Sequence, residues 1–207
     1  MENLLEKLFE SVSKVRVLRL FMQNPEHIFT FPELVKRANL NSQVAKKELQ
    51  KLIKISLVEL KIVRIKPERV LKKGKKTVQA KKTKAYCVNP EFGLIDELHN
   101  LVTKSSVTSR SKLSQRIKKI GNVKLAIIAG IFLNKNDTRA DLLLVCDNIK
   151  KGMLENFLHQ TESELGKHLR YTVMDTKEFK YRLDMYDRFL RDVLEYPHEK
   201  LINRLNI

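Results

Sequence analysis

Ser42, Gln43, Lys46, Lys47, Gln50, Lys51 and Lys54 alternate with Val44, Leu49, Leu52 and Ile53 at spacings that give a helix one polar and one apolar face. The polar face is a set of hydrogen-bond donors. A lysine ammonium reaches guanine O6 and N7, a glutamine amide makes a two-point pair with adenine N6 and N7, and a serine at a helix start binds phosphate. A second donor set, Lys72, Lys73, Lys75 and Lys76, flanks Gly74 in a run too charged to bury, and its chemistry is phosphate contact. The other reactive residue types do not assemble. His27, His99, His159, His168 and His198 show no metal-ligand spacing, and none stands in a Ser or Cys nucleophile motif. Cys87 and Cys146 lie far apart in apolar surroundings with no CxxC partner and read as buried thiols. No metal ion or cofactor is expected.

The charge balance agrees with a polyanionic partner. The chain has 207 residues, 41 Lys+Arg against 24 Asp+Glu, and a formal charge of +17. Residues 1–89 hold 21 bases and 8 acids, whereas residues 90–207 hold 20 and 16, so the first half carries +13 and the second +4. Between Lys61 and Lys84 eleven bases face a single acid, Glu68. A further acid-free stretch between Glu97 and Asp137 carries Lys104, Arg110, Lys112, Arg116, Lys118, Lys119, Lys124 and Lys135. With 43% hydrophobic residues the chain has material for a core, which excludes a disordered basic tail. No apolar run reaches the roughly 18 residues of a membrane span. The start, Met1 to Glu6, lacks the pattern of a signal peptide, and a cytoplasmic location is expected.

The elements that would position these residues follow from periodicity and punctuation. Leu5, Leu8, Phe9, Val12, Val15, Leu18 and Phe21 predict one core-facing helix over 4–22, ended by Asn24-Pro25. Thr30-Phe31-Pro32-Glu33 reads as a helix start with a capping box, giving a second helix over 31–38. After a three-residue turn at 39–41, Ser42 caps a third helix running to about Ile55. Alternation predicts strands over 57–65 and 83–88, joined by the lysine-rich loop. Three helices followed by a basic hairpin make a winged helix-turn-helix. Phe92, Ile95, Leu98 and Val102 mark a connecting helix. A Ser/Thr-rich stretch at 104–111 and a basic helix over 111–120 follow it. Apolar strands are predicted at 123–129, 140–146 and 169–174. A helix over 149–165, with Met153, Leu154, Phe157, Leu158 and Leu165 inward, lies between the last two, and three helices finish the chain.

Several stretches carry a likeness to a known family. They are Val15 to Phe21, Phe31 to Val35, Leu52 to Leu60, Lys124 to Phe132, Ala140 to Val145, and Tyr171 to Met174 with Glu178-Phe179. In order and spacing they resemble the prokaryotic winged-helix transcriptional regulators fused to a nucleotidyltransferase-like domain, over nearly the whole chain. The resemblance implies an α+β and α/β two-domain chain. A winged helix-turn-helix would occupy 1–89, connecting helices and a linker 90–120, and a nucleotidyltransferase-like domain 121–207.

Active members of that superfamily hold phosphate on a Gly-Ser turn and two metal ions on an Asp-x-Asp pair. Mapped here, Gly130 keeps the glycine, Ile131 replaces the serine, Arg139 stands at the first Asp and Asp141 keeps the second. One carboxylate beside a guanidinium cannot hold two divalent ions. The expectation is therefore a catalytically inactive domain in which Asp141 pairs with Arg139 or caps the neighbouring loop. The function expected of the whole is sequence-specific binding of double-stranded DNA as a transcriptional regulator. The second domain would serve as a sensor, dimerisation or partner-contact module, and a homodimer is plausible. The alternatives are a nucleotidyltransferase acting on RNA or protein, and a protein that binds structured RNA.

Overall fold

Ser11 divides what the apolar spacing reads as one helix. In the computed structural model, which describes residues 4–65, 81–105, 109–135 and 138–207, α1 spans Leu4–Leu8 and α2 spans Val12–Met22. The Ser11 side chain accepts from Lys14 N at 3.1 Å and so caps α2, while Glu10 takes a left-handed conformation with φ +51°. A serine hydroxyl that satisfies an amide at a helix start competes with helix continuation. Leu8 and Val12, expected in the core, are exposed as a result.

Thr30 caps α3 (Phe31–Ala38), accepting from Glu33 N, and Pro32 sits in the first turn where no amide is needed. The Glu33 carboxylate does not turn back to the cap but meets His27 Nε2 at 2.8 Å. Asn39, with φ +50°, ends α3. The cap of α4 (Ser42–Lys54) is Asn41 and not Ser42, since the Asn41 side chain accepts from Gln43 N at 2.8 Å. Val44, expected inward, is exposed. Ala45 takes its place beside Leu49 and Leu52, and α4 can sit closer to α2 for it. Strand β1 (Phe29–Thr30) pairs with β3 (Lys81–Val88), which pairs with β2 (Val58–Ile65), all antiparallel, in the order β1-β3-β2. Phe21, Phe29, Leu34, Leu49, Leu52 and Val88 form the core under these elements. Val102 of α5 (Ile95–Lys104) joins it, so the connecting helix packs with the first half.

The second half is built on a four-stranded mixed sheet. Strand β4 (Asn122–Ile128) runs antiparallel to β5 (Leu142–Asp147), and β6 (Tyr171–Met174) lies parallel to β5 after the crossover helix α7 (Lys151–Leu165). The chain end differs from expectation. After α8 (Thr176–Asp184) and α9 (Arg188–Glu195) comes a strand, β7 (Glu199–Asn203), antiparallel to β4, where a third helix was expected. Pro197 stops α9, and the free edge of β4 supplies hydrogen bonds that five isolated residues cannot make as a helix turn. The order is β6-β5-β4-β7.

Alternation in the sheet explains its layers. Ala126, Ile128, Leu142, Leu144 and Cys146 face α7 and α6 (Arg110–Ile117), whereas Leu125, Ile127, Leu143 and Val145 face α8 and α9. Both faces are covered, which is why these strands read as unbroken apolar runs. Met153, expected inward, is exposed on α7, and Phe157 and Leu158 carry that packing. The fold is mixed α and β, and among the described residues no helix is long and apolar enough to cross a membrane.

Candidate nucleic-acid interface

The exposed face of α4 is the first candidate surface. Because Ala45, Glu48, Leu49 and Leu52 are buried, the helical repeat turns Ser42, Gln43, Lys46, Lys47, Gln50 and Lys51 outward, and all six are exposed. The cap at Asn41 leaves Ser42 and Gln43 on the first turn, where amides and the helix dipole favour an anion. Lys51 also reaches Glu48 Oε1 at 2.8 Å, while Glu48 Oε2 is buried without a partner. That contact ties Lys51 to its own helix, whereas Lys46, Lys47 and Lys54 make no ion pair among the described residues. Val44 adds an apolar group to the same exposed surface, one that periodicity assigned to the core.

The hairpin supplies a second basic surface. Register places Ile62 opposite Lys84 and Arg64 opposite Lys82, so these four side chains share one face of the ladder, and the three bases are exposed. Leu60 and Ile62 are exposed on that face too. Lys72, Lys73, Lys75 and Lys76, the lysines singled out in the sequence, lie outside the described residues.

The residues mapped to a metal site are arranged differently from expectation. Arg139 does not pair with Asp141: its Nε donates to Asp192 Oδ2 at 2.8 Å. Asp141, only 2% exposed, is instead enclosed by Arg170 and the turn at 130–131. Its Oδ1 accepts from Ile131 N at 3.0 Å and Arg170 Nη2 at 3.1 Å, and its Oδ2 accepts from Arg170 N at 2.9 Å and Arg170 Nε at 3.2 Å. A carboxylate offers about four lone-pair directions, and donors take all of them. Asp141 in return holds the Arg170 guanidinium above its ordinary pKa. Gly130, at φ +53°, is required here. A Cβ would stand 2.0 Å from Asp141 Oδ1 and 2.5 Å from Thr138 Oγ1.

Sequence reasoning missed Arg170. The signal was the strand register: Leu142 pairs with Tyr171, and Asp141 N donates to Arg170 O at 2.7 Å, so the residues just before two parallel strands must meet. The neighbouring strand β6, Tyr171 to Met174, carries no acidic residue. Among the described residues no three His, Cys, Asp or Glu side chains come together as a metal site. Cys87 and Cys146 are both buried free thiols, and burial raises the Cys146 pKa.

A seam between the halves completes the picture. Arg19 of α2, buried, donates from Nη1 to Glu164 O at 2.7 Å, and burial lowers its pKa. Asn24 Nδ2 donates to Gly166 O at 2.7 Å across the same seam, while Gln23 Nε2 donates to Thr103 Oγ1 at 3.2 Å within the first half, tying α5 to it. No family model, curated protein or solved structure matches the chain.

Proposed function

We propose that the chain is a transcriptional regulator of the cytoplasm that reads duplex DNA through α4 and grips its backbone through the hairpin. In this reading residues 1–89 are a winged helix-turn-helix, and 121–207 are a nucleotidyltransferase-like domain without catalysis, serving as sensor or contact module. The single observation that carries it is the surface of α4. Six donor side chains stand outward from a helix whose opposite side is locked into the core, directly after a tight turn from α3. A helix held that way can enter a major groove as a rigid body, with Gln43, Lys46, Lys47 and Gln50 toward base edges. Arg64, Lys82 and Lys84, together with the lysines at 72–76, supply phosphate contacts and counterion release.

For the second domain, support comes from strand order and from Asp141. Antiparallel β4–β5 followed by a parallel β6 fits the nucleotidyltransferase reading. The four donors on Asp141 fit the loss of metal binding.

The test is selection of bound sequences from random duplex DNA by the full chain, with structured RNA as competitor. A recovered motif that RNA does not displace supports the reading. Random recovery, or displacement by RNA at equal mass, sinks it.

A further inference from the structure

The seam between α3 and α7 is a groove rich in donors and poor in acids. One part of it, about 560 Å³, is lined by Val35, Lys36, Asn39 and Leu40 from the first half and by Asn156, His159 and Gln160 from α7. Its five polar side chains are one lysine, two asparagines, a glutamine and a histidine, and no carboxylate lines it. An adjoining part shares Lys36 and His159 and adds Arg37, Lys167, His168 and one acid, Glu162. That acid is already occupied, accepting from Leu169 N at 2.9 Å and facing His168 Nδ1 at 3.4 Å. Arg37 is occupied too, between Asn24 Oδ1 at 3.3 Å and the Phe29 ring. Lys36 and Lys167 are different: neither makes an ion pair among the described residues.

Position decides what such a groove is for. Asn39 and Leu40 are the residues just before the Asn41 cap, so the groove opens beside the end of α4 that carries Ser42 and Gln43. On α7, Asn156, His159 and Gln160 fall at i, i+3 and i+4, a single exposed strip. Lysine, asparagine and glutamine are among the side chains that contact the sugar-phosphate backbone, and His159 stands beside them on this strip.

We infer that this groove binds the phosphodiester backbone flanking the duplex segment read by α4, so that the second half touches the DNA directly through α7. The inference rests on the DNA-binding reading of α4. It gives the second half a role in affinity that needs no enzymatic chemistry, and it explains a rigid seam: Arg19, Asn24 and Gly166 hold α7 at a set place beside α3.

The experiment uses the full chain and the duplex recovered by selection, once as the bare motif and once with about five base pairs, half a helical turn, added on each side. Wild type binds the longer duplex tighter. The triple variant Asn156→Ala, His159→Ala, Gln160→Ala and the single variant Lys167→Ala bind the bare motif as wild type does but lose three- to tenfold on the longer one. Lys167→Ala also lowers the salt slope on the long duplex alone, by up to about 0.9. A charge series guards against trivial folding effects: Gln160→Glu weakens the long duplex and Gln160→Lys strengthens it. If the long duplex is bound equally by all of these while alanine at one of Gln43, Lys46, Lys47 or Gln50 still weakens both lengths, the groove is idle and the α4 reading stands. If wild type binds no duplex, both fall. If pyrophosphate shifts the His159 and His168 imidazole resonances while flanking DNA gives no gain in affinity, the groove takes a free phosphate compound, and the backbone assignment is overturned.

Discussion

Gly166 lies against the backbone of Arg19, so close that a Cβ built on it would stand 2.7 Å from the Arg19 carbonyl oxygen and 2.8 Å from its carbon. The glycine ends α7 with φ +75°, and its own carbonyl accepts from Asn24 Nδ2. Two needs coincide at one residue: a left-handed helix end and a backbone-to-backbone approach between the halves. Gly166→Ala is therefore expected to cost about 2–3 kcal/mol and to loosen the seam, because neither Arg19 O nor the chain direction can yield. Thermal melting checks the first effect. Proteolysis between 104 and 111 checks the second, with faster cleavage expected in the variant.

Alanine at Gln43, Lys46, Lys47 or Gln50 is expected to leave the melting temperature within about a degree of wild type, because these side chains are exposed and make no core contact. On the selected duplex at least one of the four should cost about 1–3 kcal/mol, and far less on random DNA. Titration by fluorescence anisotropy on both duplexes measures the difference. Equal losses on both for all four would reduce α4 to a backbone contact. Asn41→Ala, which removes the cap from Gln43 N, should instead cost about 1 kcal/mol of stability and weaken both duplexes.

Arg64, Lys82 and Lys84 share one face of the hairpin, so their effects should add without sequence preference. Each alanine should reduce the slope of log K against log salt by up to about 0.9, as should neutralising Lys72, Lys73, Lys75 or Lys76. Affinity measured at four or more salt concentrations gives the slope. A slope unchanged by all seven would remove the hairpin from the interface.

How much of this was legible in advance depended on whether the deciding contact was local. The bounds of α3 were readable because Thr30, Pro32 and Asn39 act within one helix turn of themselves. The break at Ser11 is local too, but the apolar spacing on both sides concealed it. The strand β7 was not readable, since only the open edge of β4, some 75 residues earlier, makes 199–203 extended. Val44 and Met153 were assigned inward by apolar periodicity. At 44–45 the neighbour at one step is equally in phase with a broad stripe, and Ala45 won by fit, whereas on α7 Phe157 and Leu158, both expected inward, carry the packing without Met153. The polar face of α4 was fully visible because exposure needs no partner. The Asp141–Arg170 pair was not, because it depends on parallel register between strands 29 residues apart.

Asp147 offers a pH test. Its carboxylate accepts from Thr176 N at 3.0 Å and Thr176 Oγ1 at 2.9 Å, and these bonds lower its pKa below the ordinary 3.8. A folded pKa below the unfolded one contributes stability above the unfolded value that is lost as pH falls through the folded value. Wild type should therefore lose this support below about pH 4, while Thr176→Val should show a shallower decline over that window. Urea unfolding from pH 6 to pH 2.5 measures both curves.

The final expectation concerns Asp141 and what would let it bind a metal ion. Restoring the mapped residues by Arg139→Asp with Ile131→Ser creates a second carboxylate, but Asp141 remains saturated by Ile131 N and three Arg170 donors, whichever side chain stands at 131. A divalent ion would have to displace a guanidinium held at 3.1 Å, and the new carboxylate would meet Asp192, the former partner of Arg139. The double variant should therefore bind Mn²⁺ no better than wild type, by water-proton relaxation. Adding Arg170→Gln removes the competing cation and frees lone pairs on both Asp141 oxygens, so the triple variant should bind measurably. Stability separates the roles further. Asp141→Ala strands two backbone amides and should cost about 2–4 kcal/mol, whereas Arg170→Gln should cost less because half of that side chain already lies in solvent. Tight Mn²⁺ binding by the double variant alone would mean that Arg170 yields to metal. Metal-dependent transfer of a labelled nucleotide by wild type, abolished in Asp141→Ala, would make the second half an enzyme after all.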